Sequence, residues 1–552
     1  MKKRSLYNML SLMLVGIMTT GLMAGCGSQV EKESVVSSSE SKIESTAQTS
    51  TEEKKEPVEE GVTYPVDTDV ELSYYMTATS TGRSDYDSVP FYSGLSKNTG
   101  INIDWQAPAE GADTTTAFNL LLQEEELPSI IFGSIDLAKR NELYEDGLIY
   151  DLTDYLPEYA PDFWEFINRP ENEVNKRVIT NADGKILAFP FVRESDFNIT
   201  YLGPVIRQDW LDELGLETPV TLEDWENVLI AFKEKYGAYL TTRPGRFQAG
   251  ISSGTGAFAA LGFGMYVDNG EVKCANTQSE WKEMLTYMNR WYENGLLDPD
   301  FATLDDATIR SKALNGDCGI VVTAMSQLTN FIADAKAENT GAEWVGFSHA
   351  RTEAGAPTCF IQTESQLVRP DYGAVITTSC SEEELIAAIK FLNYGFTEEG
   401  IRYWNFGEEG VSYEVAADGS LQFTALLTED ERGLGTAMLD YTGMSSAGPG
   451  IQMEALVKAK NNSASVEAVY AWTENSAARD YKLPPYTRTT EEQARYNDIV
   501  AVLGTYVSEM ALKFITGDED LDNFDAFIET LNSYDLQELL DIEQAAYDRY
   551  MN

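Results

Sequence analysis

Short segments near the start of the folded part alternate apolar and polar residues, as half-buried β-strands do. Residues 70–76 and 101–105 follow this alternation. Residues 129–133, Ser-Ile-Ile-Phe-Gly, instead form a continuous apolar run that ends at a glycine, which is typical of a buried parallel strand. The pattern therefore predicts a β-strand in each of these three segments.

Helical periodicity follows residues that commonly begin helices. Residues 277–280, Thr-Gln-Ser-Glu, have the sequence of a capping box, and they precede an amphipathic stretch that ends at residues 294–295, Asn-Gly. Further capping boxes stand at residues 221–224 and 381–384, each before an amphipathic run. We predict a helix after each of the three boxes.

Strands that alternate with helices are the pattern of an α/β architecture, which is the predicted fold class. The last part of the chain, from about residue 382 to residue 552, is predicted to be mostly helical. Residues 489–515 form the longest predicted helix in this part. The sequence shows no internal repeat.

An export signal precedes the folded part. Residues 2–4 are Lys-Lys-Arg, residues 6–22 are mostly apolar, and small residues lead into Cys26. This order predicts that residues 1–25 are a secretory signal peptide rather than a membrane-spanning helix. The residues before Cys26 resemble the bacterial lipobox, which implies a lipid on Cys26 that anchors the protein to the extracellular face of the cell membrane. The alternative is a soluble secreted protein that is cleaved near this point.

The segment after Cys26 has a composition that cannot form a packed core. Residues 27–60 are rich in Ser, Thr and Glu and contain no aromatic residue. We predict that residues 26–61 are a lipidated cysteine followed by a disordered stalk, which spans roughly 30 Å as a flexible coil. A lipid, a stalk and a globular body are the layout of a tethered capture protein and equally of a tethered enzyme.

The net charge excludes several classes of partner. The 552 residues include 40 Lys and Arg against 90 Asp and Glu, so the formal charge is −50 at pH 7. So acidic a surface repels phosphate backbones and anionic lipid headgroups, and we expect no nucleic-acid partner and no membrane contact apart from the lipid anchor. The single histidine, His349, excludes a His-rich metal site. At this length, two or more lobes are expected.

Two glycine-rich motifs resemble a catalytic and a cofactor-binding motif, but their flanking residues do not fit either one. Residues 250–254, Gly-Ile-Ser-Ser-Gly, fit the nucleophile elbow of α/β-hydrolases around Ser252, with His349 downstream. The elbow needs a buried strand immediately before it, but residues 240–248 are polar and contain a proline. Residues 254–259 match a loose dinucleotide fingerprint and lack the same strand. We predict a glycine-rich loop, no cofactor and no catalytic activity.

A metal site is also unsupported. Residues 181–184, Asn-Ala-Asp-Gly, resemble part of a calcium loop, but its first and twelfth ligands would be an isoleucine and a proline. A hairpin turn at this Asp-Gly is the better prediction. The cysteines beyond Cys26 contain no C-x-x-C spacing; they are Cys274, Cys318, Cys359 and Cys380. We expect buried free thiols, with one or two disulfides as the alternative that an exported protein permits.

One group of segments gives more specific information about fold and function than the motifs above. Residues 287–301, Tyr-Met-Asn-Arg-Trp-Tyr-Glu-Asn-Gly-Leu-Leu-Asp-Pro-Asp-Phe, closely resemble a signature of bacterial extracellular solute-binding proteins of family 1, the capture subunits of carbohydrate ABC importers. Maltose-binding protein belongs to the same broad group. Further segments resemble the family, particularly its large lipoprotein branch, in the same order and spacing: residues 144–152, 183–190, 207–216, 405–413 and 545–550. The resemblance spans about residues 62–550.

The resemblance implies a periplasmic-binding-protein-like fold of type II, with two α/β lobes joined by crossing strands and ligand in the cleft between them. The implied N-terminal lobe comprises residues 62–190 and 325–378, and the C-terminal lobe comprises residues 198–320 and 381–552. The implied crossings lie near residues 191–198, 320–324 and 374–379. The protein is expected to be a monomer. Its ATPase and permease are expected to be separate chains, because the sequence has no P-loop motif.

The resemblance also implies ligand residues. Asp136 and Glu194 align with carboxylates that bind sugar hydroxyls in maltose-binding relatives. The family's tryptophan after the second crossing is missing, since residues 324–326 are Ala-Met-Ser. An oligosaccharide site needs aromatic platforms, for which the candidates are Trp210, Trp404 and Tyr441.

Two alternatives to oligosaccharide import remain open, a membrane-tethered glycoside hydrolase and a tethered adhesin or sensor. A hydrolase would need two catalytic carboxylates across a cleft, and in so acidic a chain such pairs are unavoidable and decide nothing. Acidic sugars stay possible as ligands because four arginines could locally outweigh the acidic surface: Arg193, Arg207, Arg243 and Arg246.

Overall fold

The structure is a computed structural model. It describes residues 61–77, 86, 88–109, 111–181, 183–243, 246, 261–359, 367–444, 448–486 and 488–551. The predicted signal peptide, Cys26, the stalk up to residue 60 and the Ser252 motif lie outside the described residues. The described residues all belong to one compact unit.

The strands of the described part are, in chain order, β1 (Glu71–Met76), β2 (Asn102–Gln106), β3 (Ile130–Gly133), β4 (Phe189–Arg193), β5 (Leu202–Arg207), β6 (Tyr239–Thr242), β7 (Met265–Asp268), β8 (Glu271–Cys274), β9 (Cys318–Ala324), β10 (Trp344–Gly346), β11 (Val368–Ile376), β12 (Tyr413–Val415), β13 (Leu421–Phe423) and β14 (Gly450–Gln452).

The α-helices of the described part are α1 (Pro90–Thr99), α2 (Thr114–Leu121), α3 (Leu137–Glu145), α4 (Leu156–Tyr159), α5 (Pro161–Asn168), α6 (Glu173–Ile179), α7 (Asp196–Ile199), α8 (Gln208–Leu214), α9 (Leu222–Tyr236), α10 (Ser279–Glu293), α11 (Asp306–Asn315), α12 (Met325–Ala337), α13 (Glu382–Tyr394), α14 (Glu398–Phe406), α15 (Ala425–Thr428), α16 (Leu434–Tyr441), α17 (Glu454–Ala459), α18 (Ser463–Thr473), α19 (Ala478–Tyr481), α20 (Thr490–Thr516), α21 (Phe524–Ser533) and α22 (Leu536–Met551).

Most of the predicted local elements are confirmed. The three predicted strands are β1, β2 and β3, and the buried strand β3 runs parallel to β1. Both capping boxes before α9 and α13 form, and the long C-terminal helix is α20. The predicted capping box at residues 277–280 is wrong. Helix α10 begins only at Ser279, and the Thr277 hydroxyl donates to the Cys274 carbonyl instead of capping the helix.

The first lobe is built on a six-stranded mixed sheet with the strand order β14-β4-β11-β3-β1-β2. Its main core includes Leu95 of α1, Phe163 of α5 and Ile389 of α13, all buried together with Phe132 of β3. A smaller core forms around Leu143 of α3. The sheet therefore has helices packed against it, as the predicted α/β class requires.

The second lobe is built on a four-stranded sheet with the order β10-β5-β9-β6. Its larger core joins Trp225 of α9 and Trp291 of α10 to apolar residues of α20, including Phe514. A separate core lies between β5 and α18 and includes Trp472. The two sheets and their separate cores confirm a two-lobed α/β fold.

The boundaries of the lobes differ from those that the sequence suggested. Residues 325–378 are not all in the first lobe, because β10 pairs with β5 and α12 packs in the second-lobe core. Residues 381–552 are not all in the second lobe, because β14 pairs with β4 and the α13 residues lie in the first-lobe core. The strands and cores place residues 61–193 and 367–452 in the first lobe.

The chain passes between the sheets three times. The first crossing, between β4 and β5, overlaps the predicted one near residues 191–198. The predicted crossings near residues 320–324 and 374–379 are wrong, because β9 and β11 each lie within one sheet. The chain returns to the first sheet between residue 359 and β11, and it leaves again between β14 and α18.

One helix in the described part has the length and composition of a membrane span, within residues Glu491–Thr516. One face of this helix is buried in the second-lobe core, where Leu503, Val507 and Phe514 lie together with α10 residues. A buried core helix of a soluble lobe passes the same test of length and composition. We therefore interpret α20 as a core helix.

The remaining predictions about local chemistry are also tested by the structure. The turn at Asp183 and Gly184 is a hairpin, because Thr180 pairs with Ile186 in an antiparallel bridge and Gly184 has a φ of 79°. Among the described residues, no group of three or more His, Cys, Asp or Glu side chains could hold a metal ion. The four described cysteines are free and buried, as predicted: Cys274, Cys318, Cys359 and Cys380.

Candidate functional site

Five of the six strands of the first-lobe sheet, all except β11, direct their carboxyl ends to a single edge of the sheet. Strands β1, β2 and β3 are mutually parallel, and β11 runs antiparallel to both β3 and β4. Strand β14 is parallel to β4. The loops that follow these five strands therefore meet at the edge where the chain leaves β4 for the second lobe. We call it the first-lobe crossing edge.

The second sheet presents a matching edge. Leu202, the first residue of β5 after the crossing, pairs with Ala324, the last residue of β9. Strand β6 runs parallel to β9, so the carboxyl ends of both strands lie on the side of the crossing. We call this the second-lobe crossing edge. In open α/β sheets, ligands bind beyond the carboxyl ends of the strands, which makes these two edges the candidate site.

Asp136 lies at the first-lobe crossing edge, three residues after the end of β3. Its side chain is exposed, and one carboxylate oxygen accepts a hydrogen bond from the Lys139 amide at 2.8 Å as the N-cap of α3. The second oxygen remains available to accept a hydroxyl. Asp136 therefore lies at the candidate site and has a structural role as a helix cap, and its binding of a sugar hydroxyl stays a prediction.

Glu194 lies at the same edge, immediately after β4. Its side chain is exposed, and a carboxylate oxygen accepts a hydrogen bond of 2.6 Å from the amide of Glu454, the first residue of α17. Its own amide donates to the Gln452 carbonyl at 3.0 Å. Glu194 thus ties the first crossing to the third, and the charge lies favourably at a helix N-terminus.

A bulge in β11 adds side chains between these two carboxylates. Val368 pairs with Val192, but Gly373 already pairs with Pro190, so residues 369–372 protrude from the sheet. Within the bulge, Arg369 donates two hydrogen bonds to Asp371, at 2.6 and 3.2 Å. The guanidinium also lies 4.8 Å from the ring centroid of Tyr372. The bulge therefore presents a fixed arginine and a half-buried tyrosine at the crossing edge.

Two further arginines approach the bulge from inside the lobe. Burial, together with the positive charge of Arg369, lowers the pKa of Arg193 to about 10. Burial also lowers the pKa of Arg140 to about 10, against the opposing influence of Asp136 and Asp371. Nε and Nη2 of Arg140 have no hydrogen-bond partner among the described residues. Positive charge is thus concentrated at this edge of an otherwise strongly acidic protein.

Aromatic rings line the other half of the first-lobe crossing edge. Trp105 lies near the carboxyl end of β2, 4.6 Å from the ring of Tyr92 in the first turn of α1. Tyr92 in turn contacts Tyr86 edge-on at 5.0 Å. Tyr92 is only partly buried, so part of its ring is available as a platform for the C–H face of a sugar.

The three aromatic residues that the sequence suggested as platforms are not brought together. Trp404 of α14 is 5% exposed and packs edge-on against Phe91 at 5.1 Å. Tyr441 lies half-buried at the end of α16, which packs on α1. Trp210 follows the opposite end of β5, where it stacks on Tyr236 at 4.0 Å in the second-lobe core. The packing of Trp210 and Trp404 is that of core residues, whereas Tyr441 keeps an accessible surface.

The second-lobe crossing edge carries two arginines and a carboxylate. Arg243 follows β6, and both Arg243 and Arg246 bind Asp306, at 3.1 and 2.6 Å. Arg207, the fourth arginine considered from the sequence, lies at the far end of β5 and binds Asp209. Arg243 and Arg246 therefore lie on the side of the crossing, and Arg207 does not.

Sequence reasoning missed Tyr92, Tyr372 and Arg369. Tyr92 could have been found, since the first turn of a helix that follows a parallel strand lies at the carboxyl edge of the sheet. Tyr372 and Arg369 depend on the bulge in β11, which no local pattern of the sequence reveals.

The family model for the bacterial extracellular solute-binding protein family matches residues 91–405. The chain is 25% identical over 357 residues to lipoprotein LipO of Bacillus subtilis, covering 60% of this chain and 65% of that protein. It is 28% identical over 262 residues to the fructooligosaccharide ABC transporter substrate-binding protein FusA of Streptococcus pneumoniae, covering 44% of this chain and 47% of FusA. These matches thus span about half to two thirds of the length of those relatives.

The same fold is found in solved structures. The alginate-binding protein AlgQ2, in a crystal structure without calcium ion, superposes with a TM-score of 0.67. The sequence identity is 21%, and the match covers 88% of this chain and 99% of that one. The family model covers more than half of the chain and includes both crossing edges. The protein is therefore a member of the bacterial extracellular solute-binding protein family.

Proposed function

We propose that this protein is the substrate-binding component of an ABC importer and captures an oligosaccharide between its two lobes. The observation that carries the proposal is the convergence of the strand ends of both sheets on one crossing, with carboxylates, arginines and partly exposed tyrosines at that place. Membership of a solute-binding family supports it, and so does the similarity to FusA, the substrate-binding protein of a fructooligosaccharide ABC transporter. The permease and the ATPase are separate chains in this proposal, and the binding component acts as a monomer.

Capture requires the two lobes to move relative to each other. The described part of the chain joins them by short segments between β4 and β5 and between β14 and α18, where a few backbone torsions suffice for a hinge motion, the type of closure that periplasmic binding proteins use. A ligand that contacts both crossing edges favours the closed form by its differential affinity. The free energy of sugar binding is thereby converted into a change of shape that a permease can recognise.

The chemistry of the crossing edges fits a sugar. Carboxylates accept hydroxyl hydrogen bonds, and tyrosine faces stack on the apolar C–H surface of a pyranose or furanose ring. Asp136, Tyr372 and Tyr92 supply these groups in the first lobe. The arginines of both edges give a reason to test acidic oligosaccharides beside neutral ones, since guanidinium groups bind carboxylates in bidentate geometry.

Titration calorimetry with purified protein tests the proposal. The panel contains fructo-oligosaccharides, malto-oligosaccharides and oligogalacturonides, and chromatography of the ligand after incubation shows whether it is intact. We expect binding of at least one series with the ligand recovered unchanged. Shortened products would instead indicate a glycoside hydrolase. Failure of every sugar would favour an adhesin or a sensor.

The two crossing-edge carboxylates can be tested without disturbing the helices that they cap. Asp136→Asn keeps a good N-cap residue on α3, and Glu194→Gln keeps an oxygen for the α17 amide. We expect each substitution to weaken oligosaccharide binding about tenfold, because a charged acceptor bonds more strongly than a neutral one. The melting temperature without ligand should change little. Asp113→Asn, which changes the N-cap of α2, is the matched control and should leave the affinity unchanged.

Attachment to the membrane can be tested at Cys26. In the proposal, a lipid on this residue holds the protein at the extracellular face of the membrane, as the lipobox-like residues before it suggest. Cys26→Ser should move the protein from the membrane fraction to the medium, while the affinity for ligand stays the same. Retention of the Cys26→Ser protein in the membrane fraction would contradict lipidation at this position.

A further inference from the structure

A cavity of about 810 Å³ lies between the two lobes. From the first lobe it is lined by Leu137, Arg177, Thr180 and Asn181. From the second lobe it is lined by residues around Tyr486 and by the carboxyl end of α22, up to Met551. A cavity lined by both lobes changes its shape when the lobes move.

The first-lobe wall is continuous with the crossing edge. Leu137 is the first residue of α3 and directly follows Asp136, the carboxylate proposed to bind a sugar hydroxyl. Thr180 and Asn181 follow the end of α6, and the Asn181 amide is held by a hydrogen bond to Asn141 at 3.1 Å. A chain of sugars that passes Asp136 would therefore reach this cavity without leaving the protein surface.

The second-lobe wall is rigid. The Tyr486 hydroxyl donates to Oε2 of Glu543 at 2.6 Å, and Arg488 binds the same carboxylate. Glu543 is 1% exposed. Burial, followed by the negative charge of Glu543, raises the pKa of Tyr486 well above its usual value, so the phenol remains a hydrogen-bond donor. The ring of Tyr486 is therefore held in place before any ligand arrives.

A contact between the lobes borders the cavity. The guanidinium of Arg177 on α6 lies 5.8 Å from the ring centroid of Tyr550 on α22, in the range of a cation–π interaction. Arg177 is oriented by an ion pair of 2.6 Å with Glu173, one turn earlier on α6. The last turn of α22 thus reaches the first lobe.

We propose that this cavity is an outer saccharide subsite, which takes the part of a long oligosaccharide that extends beyond the crossing edges. Its volume falls within the range of ligand pockets, about 300–1,000 Å³. Its lining combines tyrosine rings with amide, hydroxyl, carboxylate and guanidinium groups, which is the chemistry that recognises sugars. The inference rests on the proposed function and adds that residues near the C-terminus set the preference for chain length.

The test is calorimetry of the full chain with di-, tetra- and hexasaccharides of the fructo-, malto- and galacturono-series. The variants are Tyr550→Ala and, because the first could disturb α22, Arg177→Ala on the other side of the cavity. Tyr534→Ala is the control, since this tyrosine is 39% exposed at the end of α21 and does not line the cavity. Melting temperatures measured without ligand show that each variant is folded.

If the cavity is a saccharide subsite, the loss of affinity in the cavity variants should depend on the length of the oligosaccharide. For the bound series, each cavity variant should lose about tenfold in affinity for the hexasaccharide and little for the disaccharide, whereas Tyr534→Ala should match the wild type at every length. An equal loss at all lengths, or none, would overturn the subsite while leaving the proposed function intact. If the wild-type protein bound no member of any series, both the subsite and the proposed function would be overturned.

Discussion

Replacing Asp298 with alanine is expected to lower the free energy of unfolding by about 2–3 kcal/mol, because the Thr241 hydroxyl and the Lys312 ammonium, whose side chain is 16% exposed, lose their fully buried acceptor. The Asp298 side chain is completely buried, and its carboxylate lies 3.0 Å from Nζ of Lys312. It also accepts a hydrogen bond from the Thr241 hydroxyl at 2.8 Å. Burial alone would lower the pKa of Lys312, but hydrogen bonds to Tyr239 and Asp298 outweigh it and raise the pKa.

Urea unfolding of Asp298→Ala measures this loss, and Asp300→Ala is its matched control. Asp300 lies two residues further along the chain and 3.7 Å from the same ammonium, but its side chain is 67% exposed. Exposed ion pairs contribute little to stability, so Asp300→Ala should lower the free energy of unfolding by less than about 1 kcal/mol. Equal effects of the two substitutions would contradict the buried ion pair.

This prediction also concerns the signature at residues 287–301, which carried much of the family resemblance. Trp291 and Leu297 of this segment are buried in the second-lobe core, and Asp298 anchors Lys312 beneath β6 and β9. Its residues therefore determine how the second lobe folds. The residues proposed to bind the ligand at the crossing edges lie outside this segment, so the signature identifies the family and not the sugar.

Trp472→Ala is expected to lower the free energy of unfolding by about 3–5 kcal/mol, because it removes a large side chain from a closed core. Trp472 of α18 is 1% exposed, and its indole N–H donates to the Pro204 carbonyl of β5 at 2.9 Å. The ring lies so close to Gly203 that a Cβ at that position would fall 2.3 Å from it. The substitution would leave a cavity and remove one of the two hydrogen bonds that the Pro204 carbonyl accepts, the other coming from the Phe347 amide at 3.2 Å.

Trp164→Ala provides the matched control for this second prediction. Trp164 lies on α5 in the first lobe, where it is only partly buried and lies under the Lys176 ammonium at 5.4 Å. Trp164→Ala should lower the free energy of unfolding much less than Trp472→Ala does. A small effect of Trp472→Ala in urea unfolding would contradict the placement of α18 against β5, and with it the third crossing.

The local elements could be predicted from the sequence because local interactions determine them. The alternation in residues 70–76 fixes a half-buried strand, and the paired Ser381 and Glu384 fix the start of α13. The crossings could not be predicted in this way. Strand β9 is buried along its whole length, and an apolar run of this kind does not show which sheet it joins.

In the candidate site too, some positions could be suggested from the sequence and others depend on strand pairing. Asp136 and Glu194 were chosen because the family resemblance aligns them with sugar-binding carboxylates, and they lie three residues after β3 and directly after β4. Trp210 and Trp404 were chosen for their residue type, and a tryptophan suits a core as well as a sugar platform. Tyr372 reaches the crossing edge only because β11 bulges, which depends on its pairing with β4.

Amide hydrogen exchange with and without a saturating oligosaccharide tests the central claim most directly, because it locates the ligand on the chain. Closure around a ligand should slow exchange at both crossing edges together: in residues 134–140, 194–201 and 369–372 of the first lobe and in residues 243–246 of the second. Peptides from the far end of β5, around Trp210, should exchange at the same rate in both samples. Protection confined to one lobe, or found only away from the two crossing edges, would contradict capture of the sugar between them.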